Sequence, residues 1–183
     1  MDARIIKTKQ KIKNTLLQLL KNKKINAVTI SEICQNARIN RNTFYAHYSS
    51  PEQVLDEIAD ELMKNEYELL NNCTTAEQTV ITACEYTKAN IETNLILLNN
   101  NYENVFLETG TNDSLVFPVY IVDNKNTAFT KEQIQMIQEY IVHGTTAILK
   151  KWIHSGMKET PEEIGRFVNM LSESLIVGIN AKK

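Results

Sequence analysis

The chain of 183 residues contains five glycines, three prolines, one tryptophan and three cysteines. Each scarcity closes off a class of protein. With so little glycine there is no glycine-rich phosphate loop and no Gly-x-Ser-x-Gly elbow, and the three histidines form no paired metal motif. The cysteines Cys34, Cys73 and Cys84 are odd in number and lack metal-ligand spacing, which argues against a disulfide framework and against zinc. Cys84 and His143 carry no signature of a thiol and its base, so no catalytic residue, metal or cofactor is assigned. No apolar run reaches the roughly 18 residues of a membrane span, and the opening residues hold no apolar signal region. We therefore expect a cytosolic, non-enzymatic protein with no membrane partner. Sustained period-two alternation is also missing. The strand-like run LVFPVYIV, residues 115 to 122, is broken by Pro118 and is read as a helix or an extended connector.

What is present is charge, unevenly placed. Residues 1 to 50 hold ten Lys or Arg against Asp2 and Glu32, a balance of +8. With a whole-chain charge of −2, the remainder carries −10. A basic end on an acidic body suits a protein that presents one end to a polyanion.

Helix starts punctuate the rest. Five times a Ser or Thr is followed three residues later by Glu or Gln, ahead of an apolar-periodic run: Thr29/Glu32, Ser50/Gln53, Thr75/Gln78, Thr130/Gln133 and Thr160/Glu163. In this pattern the hydroxyl accepts from a first-turn amide and the longer side chain reaches back to the cap. Pro51 and Pro161 follow their caps at the first helical position, where a missing N–H costs nothing. The expected fold is all-α. Its first helices cover about 5 to 23, 30 to 37 and 41 to 48, and the last two are separated by only three residues, which is helix-turn-helix spacing.

On a helical wheel Phe44 and Tyr48 fall together and should face the core. Asn42, Thr43 and Ala46 then point away, Tyr45 and His47 flank them, and Arg41 extends from the amino-terminal end. Short polar groups and one small residue are what a helix needs to approach base edges. Arg41, Asn42 and Thr43 are thus candidate base readers. Tyr45 and His47 are candidate phosphate contacts, and Thr29 could offer its hydroxyl and nearby amides to another phosphate.

The segment from Thr8 to Leu55, with VTISEICQNARINRNTFYAHYSSPEQVL at its heart, resembles the DNA-binding domain of the TetR family of bacterial transcriptional regulators. That resemblance implies a DNA-binding domain over residues 1–48 and a helical effector-binding and dimerisation domain over 49–183. It also matches Thr29, Tyr45 and His47 to phosphate-contacting positions, and Arg41, Asn42 and Thr43 to positions facing the major groove. The chain departs from the family pattern at Arg38, where glycine is usual and arginine must either take a left-handed conformation or shift the turn, and at Pro51, where a lysine commonly touches phosphate. The stretch from His143 to Ile164 is similar to a Gram-positive subgroup, some of whose members resemble activators.

In the carboxy-terminal half, Ile134, Ile137, Ile141, Ile148 and Trp152 form one helical stripe, and Ile164, Val168, Leu171, Leu175 and Ile179 another. Paired with a second copy, two such helices make a four-helix interface with two-fold symmetry. The combined expectation is a homodimeric regulator, with repression the expected sign, that binds a palindromic operator in double-stranded DNA. A small-molecule effector would lie among Tyr86, Tyr102, Phe106, Phe117, Tyr120 and Tyr140. A DNA-binding adaptor or architectural factor whose helical body docks a protein partner stands as the alternative.

Overall fold

The computed structural model describes residues 3–102 and 129–180, with the side chains of the last two left undescribed. The run LVFPVYIV and the candidate residues Phe106, Phe117 and Tyr120 lie outside these residues. Among the described residues there are eight α-helices: α1 (Ala3–Leu20), α2 (Ile30–Ala37), α3 (Arg41–Tyr45), α4 (Pro51–Leu70), α5 (Ala76–Ala89), α6 (Ile91–Asn99), α7 (Lys131–His154) and α8 (Pro161–Asn180). A 3-10 turn, Ile25–Ala27, follows α1. The fold is all-α, as expected.

All five cap pairs form. Thr29, Thr130 and Thr160 close full capping boxes, each accepting from the amide three residues on while Glu32, Gln133 or Glu163 reaches back to the cap's own N–H. At α4 and α5 the glutamine reaches one residue further. Gln53 accepts from the amide of Ser49 and Gln78 from that of Thr74, while Ser50 and Thr75 still accept from the first turn. These local bonds satisfy amides that no helix end can satisfy by itself.

The described residues form two compact units. The first takes in everything up to Lys64 together with the stretch that begins at Glu92. Its core is Ile12, Leu16, Leu20, Val28, Ile33, Cys34, Ala37, Phe44, Tyr48, Val54 and Leu55. In it α1 packs on α2 and α2 on α3. The unit that holds the turn motif therefore also includes the first part of α4 and nearly all of α6. Four contacts tie α6 and its exit in place: Lys21 pairs with Glu92 at 2.8 Å, Lys24 donates to the carbonyl of Asn99, the amide of Ile25 donates to Asn100 at 2.7 Å, and the Tyr102 hydroxyl donates to Asp56 at 2.5 Å.

The second unit comprises Asn65–Ile91 and the residues from Phe129 onward. Its main contact is α5 on α8. Gly165 permits this approach, because a Cβ there would stand 2.7 Å from Cγ1 and 3.0 Å from Cα of Ile81. Between α7 and α8, Gly156 turns the chain at φ 87° and the indole of Trp152 donates to the carbonyl of Glu159 at 3.1 Å.

The α7 stripe is inward at Ile134, Ile141 and Trp152, with Ile137 half-buried. On α8 the expected stripe holds at Ile164 and Val168, but Leu171 is exposed at 42%. The buried positions beside it are Asn169 and Ser172 instead, because α8 is rotated so that Gly165 meets α5. Phe167, Met170, Leu171 and Val177 thus form an outward apolar stripe on α8, and Met136 and Tyr140 are exposed on α7.

Candidate nucleic-acid interface

The turn between α2 and α3 is built from backbone geometry that the sequence makes unusual. Arg38 ends α2 in the left-handed conformation, φ 50° and ψ 51°, and its N–H bonds back to Cys34 and Gln35. A non-glycine residue there costs roughly 1 kcal/mol. The amide of Ile39 then returns to the carbonyl of Cys34 at 3.0 Å. Asn40 caps α3, its side-chain oxygen accepting from the amide of Thr43 at 2.7 Å and from the Thr43 hydroxyl at 2.9 Å.

Helix α3 stops at Tyr45, three residues short of the expected end. The amide of His47 bonds to Phe44 with i→i−3 spacing, which tightens the last turn, while Tyr48 still reaches Phe44. The wheel nevertheless holds for what faces inward. Phe44 is fully buried and Tyr48 nearly so, with ring centroids 6.0 Å apart. Tyr45 stacks edge-on against Phe44 at 5.9 Å yet keeps 53% of its surface in solvent. Arg41, Asn42 and Ala46 are exposed, and Thr43 and His47 are half-buried. The structure therefore brings Arg41, Asn42, Thr43, Tyr45 and His47 together on one short helix and its exit.

Thr29 is placed differently. It is exposed, but its N–H and its hydroxyl both donate to the Glu32 carboxylate, at 2.9 and 3.0 Å. Lys23, 2.5 Å from that carboxylate, and then the Thr29 bonds hold Glu32 down at about 2. A phosphate at this end of α2 would find a carboxylate already on the cap, leaving the amides of Ile30 and Ser31 as its donors.

The basic amino-terminal segment is also less available than its charge suggests. Lys9 lies 2.6 Å from Glu57, and Lys13 lies 2.7 Å from Glu57 and 2.6 Å from Glu61. Burial works against the Lys13 ammonium, but its hydrogen bonds to Glu57 and Glu61 prevail and raise its pKa; Glu57 is correspondingly lowered despite burial. Lys9 also sits 5.1 Å over the Tyr48 ring. The Tyr48 hydroxyl is buried without a hydrogen-bond partner, and burial and then the nearby Glu57 charge push its ionisation up. With Lys21, Lys23 and Lys24 also engaged, at least five of the ten basic residues among positions 1 to 50 are used inside the unit. The sequence signal for this pairing of α1 with α4 is the i,i+4 spacing of both Lys9/Lys13 and Glu57/Glu61.

Of the six proposed effector contacts, three are described. Tyr86 is half-buried on α5 in the second unit, Tyr102 belongs to the first, and Tyr140 is 71% exposed on α7. Cys84, buried, has its thiol pushed up to about 12 by burial and then by Glu66 and Glu85, and the exposed His143 pairs with Glu139 at 3.2 Å. Among the described residues no group of three or more His, Cys, Asp or Glu could hold a metal, and no helix is long and apolar enough to cross a membrane.

A helix-turn-helix at one end and a separate helical body define the class of transcriptional regulators, and residues 74–174 match the family model described as the transcriptional regulator C-terminal region. The chain belongs to the TetR family of transcriptional regulators, a family of regulators and not of enzymes. Two solved structures are similar over nearly the full chain. One is the dihydroxyacetone kinase operon activator DhaS, at 20% identity, covering 95% of this chain and 98% of that one with a TM-score of 0.66. The other is a TetR transcriptional regulator from Streptococcus agalactiae 2603V, at 20% identity, covering 93% and 96% with a TM-score of 0.71. At this identity the likeness carries the fold. No curated protein matches the chain.

Proposed function

We propose that the protein binds a palindromic operator in double-stranded DNA as a homodimer and represses transcription until a small molecule occupies its helical body. The observation that carries this reading is α3 and its exit, where Phe44 and Tyr48 are buried while Arg41, Asn42 and Ala46 stay in solvent. In it residues 1–48 read DNA, with Arg41, Asn42 and Thr43 at base edges and Tyr45 and His47 on phosphates. Residues 49–183 bind the effector and the second subunit.

The outward apolar stripe of α8, with Met136 and Tyr140 on α7, supports self-association, since an isologous interface needs a self-complementary apolar patch. Two recognition helices must then sit about one turn of DNA, or a multiple, apart, and an effector that changes this separation releases the operator. Tyr86, Tyr102 and Tyr140 are the described candidates for effector contact. Repression is the simpler output, because a dimer seated over a promoter excludes polymerase by occupancy alone, whereas activation needs a further contact surface.

Selection of genomic fragments by the purified protein near physiological salt tests the reading, because affinity without a stated salt is uninterpretable. A recurrent palindrome is expected. Enrichment without a motif, from a protein that sediments as a monomer, would transfer the apolar stripe to a protein partner and favour an adaptor. A reporter whose expression falls when the gene is deleted would reverse the sign.

A further inference from the structure

Four of the ten Lys and Arg among residues 1 to 50 are paired with carboxylates inside the unit, so the cations that face none are the ones to weigh as DNA contacts. Lys9, Lys13, Lys21 and Lys23 face carboxylates and Lys24 a carbonyl. Arg38 and Arg41 meet no carboxylate among the described residues, and from residue 33 to 51 the sequence contains no Asp or Glu at all. Arg38 is the more telling of the two. It is exposed, its guanidinium has no hydrogen-bond acceptor among the described residues, and it occupies a left-handed position that glycine would fill without strain. Neither packing nor backbone conformation favours arginine there. A long cation three residues ahead of Arg41, on the turn that leads into the exposed helix, is what a polyanion would favour.

We infer that Arg38 is a DNA-backbone contact of this protein, adding one phosphate neutralised per protomer to those made by α3. The inference rests on the DNA-binding reading above. A phosphate contact carries no sequence information, adds to affinity on any duplex and contributes to the salt dependence of binding.

The test uses the full-length protein, with Arg38→Gly and Arg38→Lys variants, on a mixed-sequence duplex of about 30 base pairs, long enough for two half-sites one turn apart. Binding is titrated between roughly 50 and 200 mM salt. Arg38→Gly is expected to raise the urea midpoint, because the left-handed strain is relieved, and yet to weaken DNA binding roughly five- to tenfold per protomer near 0.1 M salt. The slope of log K against log salt should become shallower by roughly 0.9 per protomer. Arg38→Lys should retain the slope.

An Arg38→Gly variant that binds with unchanged affinity and slope would overturn the inference and leave DNA binding intact. A weaker complex with an unchanged slope would reduce Arg38 to a residue that positions α3. A loss confined to a selected operator would make it a base reader instead. If the wild-type protein shows no salt-dependent binding to any duplex, the DNA-binding reading itself fails, and this inference with it.

Discussion

Replacing Glu66 by Gln should stabilise the protein at neutral and alkaline pH, contrary to the usual effect of removing a charge from a helix. Glu66 lies on the part of α4 that belongs to the second unit, and burial pushes its carboxyl from 4.5 up to about 7. The sign follows from linkage. Below about 4.5 the group is protonated in both states and contributes nothing to the difference. Between 4.5 and about 7 the unfolded chain releases its proton while the folded chain retains it, so stability falls as pH rises; above about 7 the loss is complete. The full interval corresponds to about 3 kcal/mol, an upper bound because the side chain is not wholly removed from water. Glutamine keeps the shape and cannot ionise. Urea denaturation of wild type and Glu66→Gln at one protomer concentration, near pH 4.5 and about pH 8, measures the effect. We expect coincident curves at the lower pH and a midpoint higher by about 1 M or more at the upper. A variant less stable than wild type near pH 8 would show that the carboxylate has a stabilising partner and that burial does not dominate it.

Gly165→Ala should destabilise the second unit although alanine is the better helix former, because the new methyl meets both side chain and backbone of Ile81. Overpacking of about 1 to 3 kcal/mol outweighs a propensity gain of about 1, and an unchanged or higher urea midpoint would show that α5 and α8 separate easily. Glu32, held at about 2 chiefly by Lys23, contributes stability that is present above about 4.5 and lost as pH falls towards 2. The circular dichroism of Glu32→Gln during acid titration should therefore change less steeply than that of wild type over that window. On a selected operator, Arg41→Ala or Asn42→Ala should cost roughly 1 to 3 kcal/mol and have little effect on mixed DNA, whereas Tyr45→Phe should weaken both. Equal losses on both DNAs for all three would refute the division between base and phosphate contacts.

The helix starts could be read from sequence because a cap is a local device. Thr130 and Gln133 need only each other and one turn of backbone, and so does Thr29 with Glu32. The burial of Phe44 and Tyr48 was equally legible, since helical periodicity alone puts them on one side. The candidate DNA-binding side chains followed from the same wheel and from family resemblance. An aromatic on a helix carries no such local sign of which neighbour it will meet: Tyr102 bonds to Asp56, 46 positions away, and Tyr140 faces solvent.

The sequence by itself determined the all-α fold, the places where most helices begin and the helix-turn-helix, all of which depend on residues within a few positions of one another. Only the tertiary structure decided which lysines are paired with carboxylates, why Leu171 faces outward, and that Glu66 is half-buried. Those outcomes are set by pairs such as Lys13 with Glu61 and Gly165 with Ile81. Such partners are far apart in the chain, and their energies exist only once the helices have met.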